Sequence, residues 1–333
     1  MNSQIDIAGG QHYPSSGVRK RAALIATATV FAMVFAGTVP ANAASDSDPD
    51  AVAEAVAEAA PTDLEALPVE QFGDLLTASL DDGGTVATGV DAADGLTFSS
   101  ADGSQVANVA LPGGTELSQA SVSEDGSITF AGDRSVPSVN VLASANAVRV
   151  ATVIASAEQT EEFAYDFGHE ATVEIREDGG ALVVIPGADG TEVIIADIDT
   201  PWATDASGAP VSTHYVAESG VLTQVVSHRA EGVTYPVVAD PKFDSPNALQ
   251  VRVRFTRAET GTIAAGGWGG AIGSFSCGAM MAVCALASGV LVYQAGVAQR
   301  SKPKRCVQVT ATSPIVIPGL VWWVDTYSGG ACR

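Results

Sequence analysis

The residues with the clearest chemistry in this sequence are four cysteines near its C-terminus: Cys277, Cys284, Cys306 and Cys332. An even number of cysteines in an exported chain predicts disulfides rather than metal or redox chemistry. Cys277 and Cys284 would lie about 10 Å apart on one continuous helix, which is too far for a disulfide. We expect a Cys277–Cys284 bond across a break in the helix and a Cys306–Cys332 bond, while a bond from Cys277 or Cys284 to Cys306 stays open.

The other reactive side chains lack the spacing of a known catalytic or metal site. The stretch Ser274–Gly278 fails as a nucleophile elbow, because Ser rather than Gly stands two positions before Ser276. His169, His214 and His228 share no metal-ligand spacing, so we expect them at the surface or in strands. No zinc helix motif, phosphate-binding loop or dinucleotide fingerprint is present. We predict no catalytic residue, no metal site and no cofactor; an unrecognised secreted hydrolase is an alternative.

A basic cluster, Arg300-Ser301-Lys302-Pro303-Lys304-Arg305, directly follows a stretch from Thr260 to Gln299 that has no charged residue. A cationic rim beside an apolar body rich in Gly and Ala is typical of segments that contact membranes. The sequence therefore predicts contacts to membrane lipid or to a surface protein through residues 257–305, made by Trp268, Arg300, Lys302, Lys304 and Arg305. Nucleic acid is not an expected partner, because the body is acidic and the cluster has no interleaved aromatic residues.

The apolar stretch 271–297 has three interpretations. As a stop-transfer span it would anchor the protein in the cell membrane with the basic cluster inside, but Cys306 and Cys332 would then face a reducing compartment. As a helical hairpin that turns near Cys277 and Gly278, it would pack in a small soluble domain. The same hairpin could also insert into a target membrane. The sequence favours the soluble hairpin.

The charge is divided unequally along the chain. The net charge is −22 overall. Residues 44–247 contain 35 acidic and five basic groups, a net −30, whereas residues 248–333 contain eight basic and two acidic groups, a net +6. We expect the acidic body and the basic C-terminal part to attract each other over distances up to the screening length of about 10 Å.

The N-terminal residues 1–43 read as a cleavable signal peptide. The positive residues Arg19, Lys20 and Arg21 precede an uncharged, apolar segment that ends before Pro40. Ala41-Asn42-Ala43 then provides the small-x-small pattern of a cleavage site, which predicts a cut between Ala43 and Ala44. We expect a secreted, extracellular protein; the alternative is the cell membrane, through a span at 271–297.

Residues 44–83 read as an acidic linker with short helices. The stretch 51–60 has high helix propensity but little to bury, and the apolar spacing within 63–80 predicts a short amphipathic helix.

Residues 84–243 read as a β-rich domain, because short alternating runs are separated by Asp-Gly turn pairs. This pattern predicts an antiparallel sandwich or stacked meander. Trp202 lies in a stretch rich in turn formers, where it could be a ligand-stacking platform; we expect it to plug the end of the sheet core.

Residues 244–333 read as a basic module that contains all four cysteines. Ala248–Phe255 alternates as a half-buried strand whose outer face carries Arg252 and Arg254. Thr256 and Glu259 fit a capping box, which starts a helix at Arg257. The predicted fold class is therefore α+β: a mainly antiparallel β region followed by a small strand–helical hairpin–strand module.

The stretches Pro201–Ala206, Val211–Tyr215, Leu222–Val226 and Tyr235–Pro241 carry a resemblance. Together they resemble uncharacterised secreted proteins of actinobacteria, in which a β-rich region closes with a Tyr-Pro-Val-Val-Ala-Asp-Pro type segment before a C-terminal Cys-containing module. The resemblance covers about residues 165–305. It implies export and a β-domain carrier, and it implies no activity.

These features together predict a secreted, non-enzymatic protein. Its acidic β-rich part would carry or mask a cationic, disulfide-stapled module that acts on membranes or on a protein partner.

Overall fold

The computed structural model describes residues 48–333 apart from 62–63, 82, 102, 104–105, 146, 188–189, 245–249, 267–276, 278–279 and 313–320. The predicted signal peptide, its cleavage site between Ala43 and Ala44, and Trp268 lie outside the described residues.

Antiparallel strands dominate the described residues, which form the β-rich α+β fold that the sequence predicts. The strands are β1 (Val69–Phe72), β2 (Leu75–Ser79), β3 (Thr85–Gly89), β4 (Leu96–Ser99), β5 (Val106–Val109), β6 (Ala120–Val122), β7 (Ile128–Phe130), β8 (Ser138–Ser144), β9 (Ala147–Ile154), β10 (Glu162–Asp166), β11 (Thr172–Ile175), β12 (Ala181–Pro186), β13 (Glu192–Ile198), β14 (Trp202–Asp205), β15 (Thr213–Glu218), β16 (Val221–Val226), β17 (Val237–Asp240), β18 (Lys242–Asp244), β19 (Gln250–Arg254), β20 (Cys306–Thr312) and β21 (Trp322–Tyr327). The helices are α1 (Pro49–Ala59), α2 (Arg257–Ala264), α3 (Met281–Leu286) and α4 (Ser288–Arg300), with one 3-10 turn at Ala92–Asp94.

The strands form three sheets around a shared core. β1 to β5 form a meander in chain order, and β16 lies between β10 and β15 in a second sheet. The third and largest sheet runs in the order β21-β20-β19-β13-β18-β9-β8-β7-β6, with β11, β12, β14 and β17 paired alongside. Side chains from all three sheets meet in one apolar cluster, in which the rings of Phe98 and Phe243 lie 5.8 Å apart.

The Asp178-Gly179 pair forms a turn where the sequence predicts one. Between β11 and β12, Gly179 has a φ of 91°, which a residue with a side chain rarely adopts. The preceding Asp178 accepts a hydrogen bond from the Gly180 amide at 3.0 Å and so holds the turn.

The predicted amphipathic helix within 63–80 is wrong, because β1 and β2 form a hairpin there. Leu76 and Ala78 are buried alternately with exposed neighbours, and pairing with β3 gives this alternation a core to face. The stretch predicted to have little to bury is helix α1, which Asp48 caps at its start. Val52 and Val56 pack on Val238 and neighbouring β9 residues, so this part of the predicted linker belongs to the core.

Trp202 begins strand β14 rather than lying in a loop, and it stands directly opposite Asp240 of β17. One part of its surface packs beside helix α1, as expected of a residue that closes the core.

The C-terminal sheet continues the sheet of the body. β19 pairs with β13 on one side and with β20 on the other. The predicted capping box is present, because Thr256 and Glu259 exchange backbone and side-chain hydrogen bonds at the start of α2. Helices α2, α3 and α4 cover β19, β20 and β21 and enclose a second apolar core that includes Phe255, Ile263 and Val309.

Candidate functional site

The two predicted disulfides are present in the C-terminal module. The Cα atoms are 6.6 Å apart in Cys277–Cys284 and 5.6 Å apart in Cys306–Cys332. The required helix break lies between the first two cysteines, because α3 begins only at Met281. Cys277 lies in the preceding turn, where its carbonyl accepts from the Met280 amide at 2.7 Å.

One face of α3 and α4 is buried in the module. Its members recur every three or four residues and are all apolar or small: Val283, Cys284, Ala287, Leu291, Ala295 and Ala298. Small residues on this face allow α4 to pack closely on α2 and on the sheet beneath it. This packing explains the apolar residues on one face of the two helices.

The opposite face of α3 and α4 is exposed and also apolar; we call it the apolar stripe. It comprises four large residues, Met281, Leu286, Val290 and Tyr293, whose exposed fractions run from 44% to 67%. Ala282, Ala285 and Gly289 lie between them and are also exposed. A soluble helix normally places charged or polar residues on its solvent face, and the apolar stripe departs from this pattern.

Three exposed cations follow the apolar stripe: Arg300, Lys302 and Lys304, which we call the cationic end. Arg300 is the last residue of α4 and lies two helical turns beyond Tyr293, on the same face. The fourth predicted contact, Arg305, differs from them. Its Nη2 binds the carboxylate of Glu177 at 2.7 Å and the carbonyl of Thr326 at 3.1 Å, so Arg305 joins the module to the body.

Two further arginines of the module lie in an ion-pair cluster with the acidic body; we call it the clasp. Arg252 donates from Nε to Glu192 at 2.8 Å and from Nη2 to Glu174 at 2.9 Å. Arg254 also binds both glutamates and lies over the ring of Tyr327, 5.6 Å from its centroid. Burial disfavours the charged form of Arg254, but the two glutamates outweigh burial and raise its pKa.

The clasp corrects the predicted outer face of β19. Arg252 is only 2% exposed, although its position in the alternating strand places it opposite Val253 and Phe255. Both faces of β19 are covered, one by the module core and the other by the glutamates of β11 and β13. The predicted attraction between acidic body and basic module therefore takes the form of direct ion pairs around a buried arginine.

The histidines do not form a reactive site among the described residues. His228 is fully buried, contrary to the expectation of a surface or strand position, and it lies just beyond the end of β16. One ring nitrogen lies 3.0 Å from the Tyr235 hydroxyl and the other 2.9 Å from the Thr160 carbonyl, so His228 joins two segments of the body. His169 and His214 are exposed. Within the described ranges, no three His, Cys, Asp or Glu side chains are grouped as metal ligands.

The apolar stretch 271–297 contains α3 and most of α4, and its first part falls outside the described residues. In the part of the chain that the structure describes, no helix has both the length and the apolar character needed to cross a bilayer.

No protein-family model, curated protein or solved structure shows a significant match to this chain.

Sequence reasoning found the cationic end but missed the apolar stripe as a separate surface. The helical spacing of Leu286, Val290 and Tyr293 was readable, since these residues recur at intervals of three and four. Because α3 and α4 carry no charged residue before Arg300, however, the sequence could not show which face the sheet covers.

Proposed function

We propose that this is a secreted, non-enzymatic protein that binds anionic membrane surfaces through its C-terminal module. The apolar stripe would enter the interfacial region of the bilayer, and the cationic end would contact anionic headgroups. The observation that carries this proposal is the exposure of large apolar side chains on α3 and α4 directly beside three exposed cations. This pairing is typical of helices that lie in the plane of a membrane surface.

Charge favours a lipid over a protein as the occupant of this surface. Each Lys or Arg near an anionic membrane contributes about 1 kcal/mol, so the cationic end favours reversible, salt-sensitive binding. The acidic body opposes approach to an anionic surface, but its charges are screened beyond roughly 10 Å at moderate ionic strength. We therefore expect binding at physiological salt through the module alone.

In this proposal the body carries and displays the module rather than masking it. The clasp and the pairing of β13 with β19 hold the module to the body. The apolar stripe stays exposed in this arrangement, which favours display. Export through the predicted signal peptide is supported by the two disulfides, which persist in oxidising compartments.

The test is co-sedimentation of the full secreted chain with vesicles of phosphatidylcholine that contain about one-third phosphatidylglycerol. We expect saturable binding that weakens with salt and is absent from pure phosphatidylcholine vesicles. Replacing Arg300, Lys302 and Lys304 by Gln should weaken binding by about fivefold for each charge removed.

A matched pair of variants separates the apolar stripe from general surface effects. Val290 on α4 and Val216 on β15 are 45% and 47% exposed, respectively. V290E should abolish vesicle binding, because a carboxylate cannot enter the anionic interface, whereas V216E should bind like the wild type. If the full chain does not bind anionic vesicles, or if V290E binds them as well as V216E does, the proposal of membrane binding is wrong and the stripe contacts a protein instead.

A further inference from the structure

A cavity of about 360 Å³ lies in the body beside the end of α1, away from the residues that form the apolar stripe. It is lined by Pro61, Leu64, Arg149, Asp199, Thr200, Pro201, Trp202, Asp240 and Lys242. This volume is within the range of small-molecule sites. The lining combines two buried ionisable residues, Arg149 and Asp240, with the ring of Trp202 and two prolines. A core held together by apolar packing alone does not contain ionisable side chains.

Strand register brings the key side chains of this cavity together. Trp202 stands opposite Asp240 across β14 and β17, and Arg149 stands opposite Lys242 across β9 and β18. Asp240 and Lys242 are two residues apart on neighbouring strands that pair with β9 in one continuous register, so both point to the same face. The backbone therefore fixes all four side chains on one wall.

The lining of the cavity contains a buried carboxyl group, that of Asp240. Asp240 is 2% exposed. Burial raises its pKa to about 8, against the attraction of Arg149 and Lys242. Near neutral pH the group is largely protonated and can both donate and accept a hydrogen bond. A buried polar group of this kind is costly unless something pairs with it.

At the rim, Lys242 is paired with two carboxylates. Lys242 Nζ lies 2.9 Å from Asp199 and 2.9 Å from Asp244. An anionic ligand would meet these carboxylates, and a cationic ligand would meet Arg149 and Lys242. A neutral ligand that carries both hydrogen-bond donors and acceptors avoids repulsion by either the carboxylates or the cations.

We infer that this cavity binds a neutral, hydroxyl-rich ring such as one sugar residue of a glycan. The face of Trp202, with Pro201 and Leu64, would pack against the apolar face of the ring. Its hydroxyls would pair with Asp240, Arg149 and Asp199. This inference is independent of membrane binding, because it uses no residue of the C-terminal module.

The test is calorimetric titration of the full secreted chain with cellobiose, maltose and chitobiose, each up to about 20 mM because single-subsite sugar binding is expected in the millimolar range. Sodium acetate and ethylammonium chloride serve as charged probes. We expect saturable binding of at least one disaccharide, and none of the charged probes.

Variants assign the binding to the cavity. W202A should weaken it by at least about tenfold, while W202F, which keeps an aromatic face, should retain most of it. D240N keeps a neutral group with a donor and an acceptor and should bind within a few fold of the wild type, whereas D240A should not. The melting temperature of each variant confirms that it is folded.

The inference is overturned if none of the three disaccharides binds, or if binding is unchanged in W202A and D240A. It is also overturned if acetate or ethylammonium binds in their place, because the site would then recognise charge.

Discussion

Arg252 of β19 stands directly opposite Glu192 of β13, and its Nε donates to the Glu192 carboxylate at 2.8 Å where the arginine is only 2% exposed. One cross-strand pair therefore joins the basic module to the acidic body at the point where their sheets meet. Removing Glu192 would leave the buried Arg252 with Glu174 as its remaining carboxylate partner, shared with Arg254.

We expect E192Q to lower the free energy of unfolding by about 2–4 kcal/mol, because Arg252 and Arg254 would share one remaining carboxylate. The measurement is urea denaturation. The control is E161Q, which breaks the exposed Arg229–Glu161 pair, with side chains 47% and 35% exposed. That loss should stay below about 1 kcal/mol. Equal losses in the two variants would show that the clasp contributes no more than a surface ion pair.

Asp240 should make stability depend on pH. Its folded-state pKa of about 8 lies above the unfolded value of about 4, so the native state holds this proton more tightly than the unfolded chain. Stability should therefore fall as pH rises from about 4 to about 8 and change no further above that range. D240N should remove this component, so its advantage over the wild type should be larger at pH 9 than at pH 5 in denaturation curves. An equal difference at both pH values would contradict the prediction.

Asp205 should have the opposite effect. Its carboxylate accepts from the Ser207 side chain at 2.6 Å and from the Thr234 amide at 3.0 Å, and these bonds hold its pKa well below the usual range. The stability that they provide is present above about pH 4 and is lost as pH falls toward the folded-state pKa. D205A should therefore lower the melting temperature at pH 7 more than at pH 3.

Asp133 provides the control for Asp205. It accepts from the Ser135 side chain at 2.7 Å and from nearby amides, but all of these bonds lie within one exposed loop. D133A should lower the melting temperature much less than D205A, since only Asp205 joins two distant segments. A larger effect of D133A would assign the stabilisation to local turn geometry.

The two disulfides should contribute unequally. In the chain-entropy description, Cys306–Cys332 closes 26 residues and should contribute about 3.5 kcal/mol, while Cys277–Cys284 closes seven and should contribute about 2.4 kcal/mol. Paired Cys→Ala variants, compared by urea denaturation, measure each contribution. Peptide mapping without reduction should recover only these two pairs, and a peptide that links Cys284 to Cys306 would contradict the pairing.

The mature protein should begin at Ala44. N-terminal sequencing of the protein from culture medium, after expression of the full chain in a bacterial host that secretes it, checks this directly. Changing Ala41 and Ala43 to bulky Leu should block cleavage, because the peptidase accepts small residues at these positions. Mature protein that retains Arg19–Arg21 would contradict the prediction.

Local features of this protein could be read from the sequence. The Asp178-Gly179 turn and the Thr256–Glu259 capping box depend on a few neighbouring residues, and both were predicted. Helix geometry showed that a Cys277–Cys284 bond requires a break in the helix, and the bond is present. The β-rich fold class followed from the repeated alternation of short runs.

Features that depend on distant partners were predicted wrongly or missed. Leu76 and Ala78 suit a helix as well as a strand, and their pairing with β3 decided between the two. Arg252 alternates like a residue on a solvent face, and Glu174 and Glu192, many residues away, bury it. His228 gave no local sign of its buried contacts with Tyr235 and Thr160.

The sequence by itself determined the signals for export, the division of charge, the presence of disulfides and the cationic end, because each depends on composition or on short spacing. Only the tertiary structure decided which charges pair, which helix face stays exposed, and that Trp202 and Asp240 share one cavity. The physical reason is that strand pairing brings together residues that are far apart in the chain, and burial then depends on what lies across the sheet rather than on neighbours in sequence.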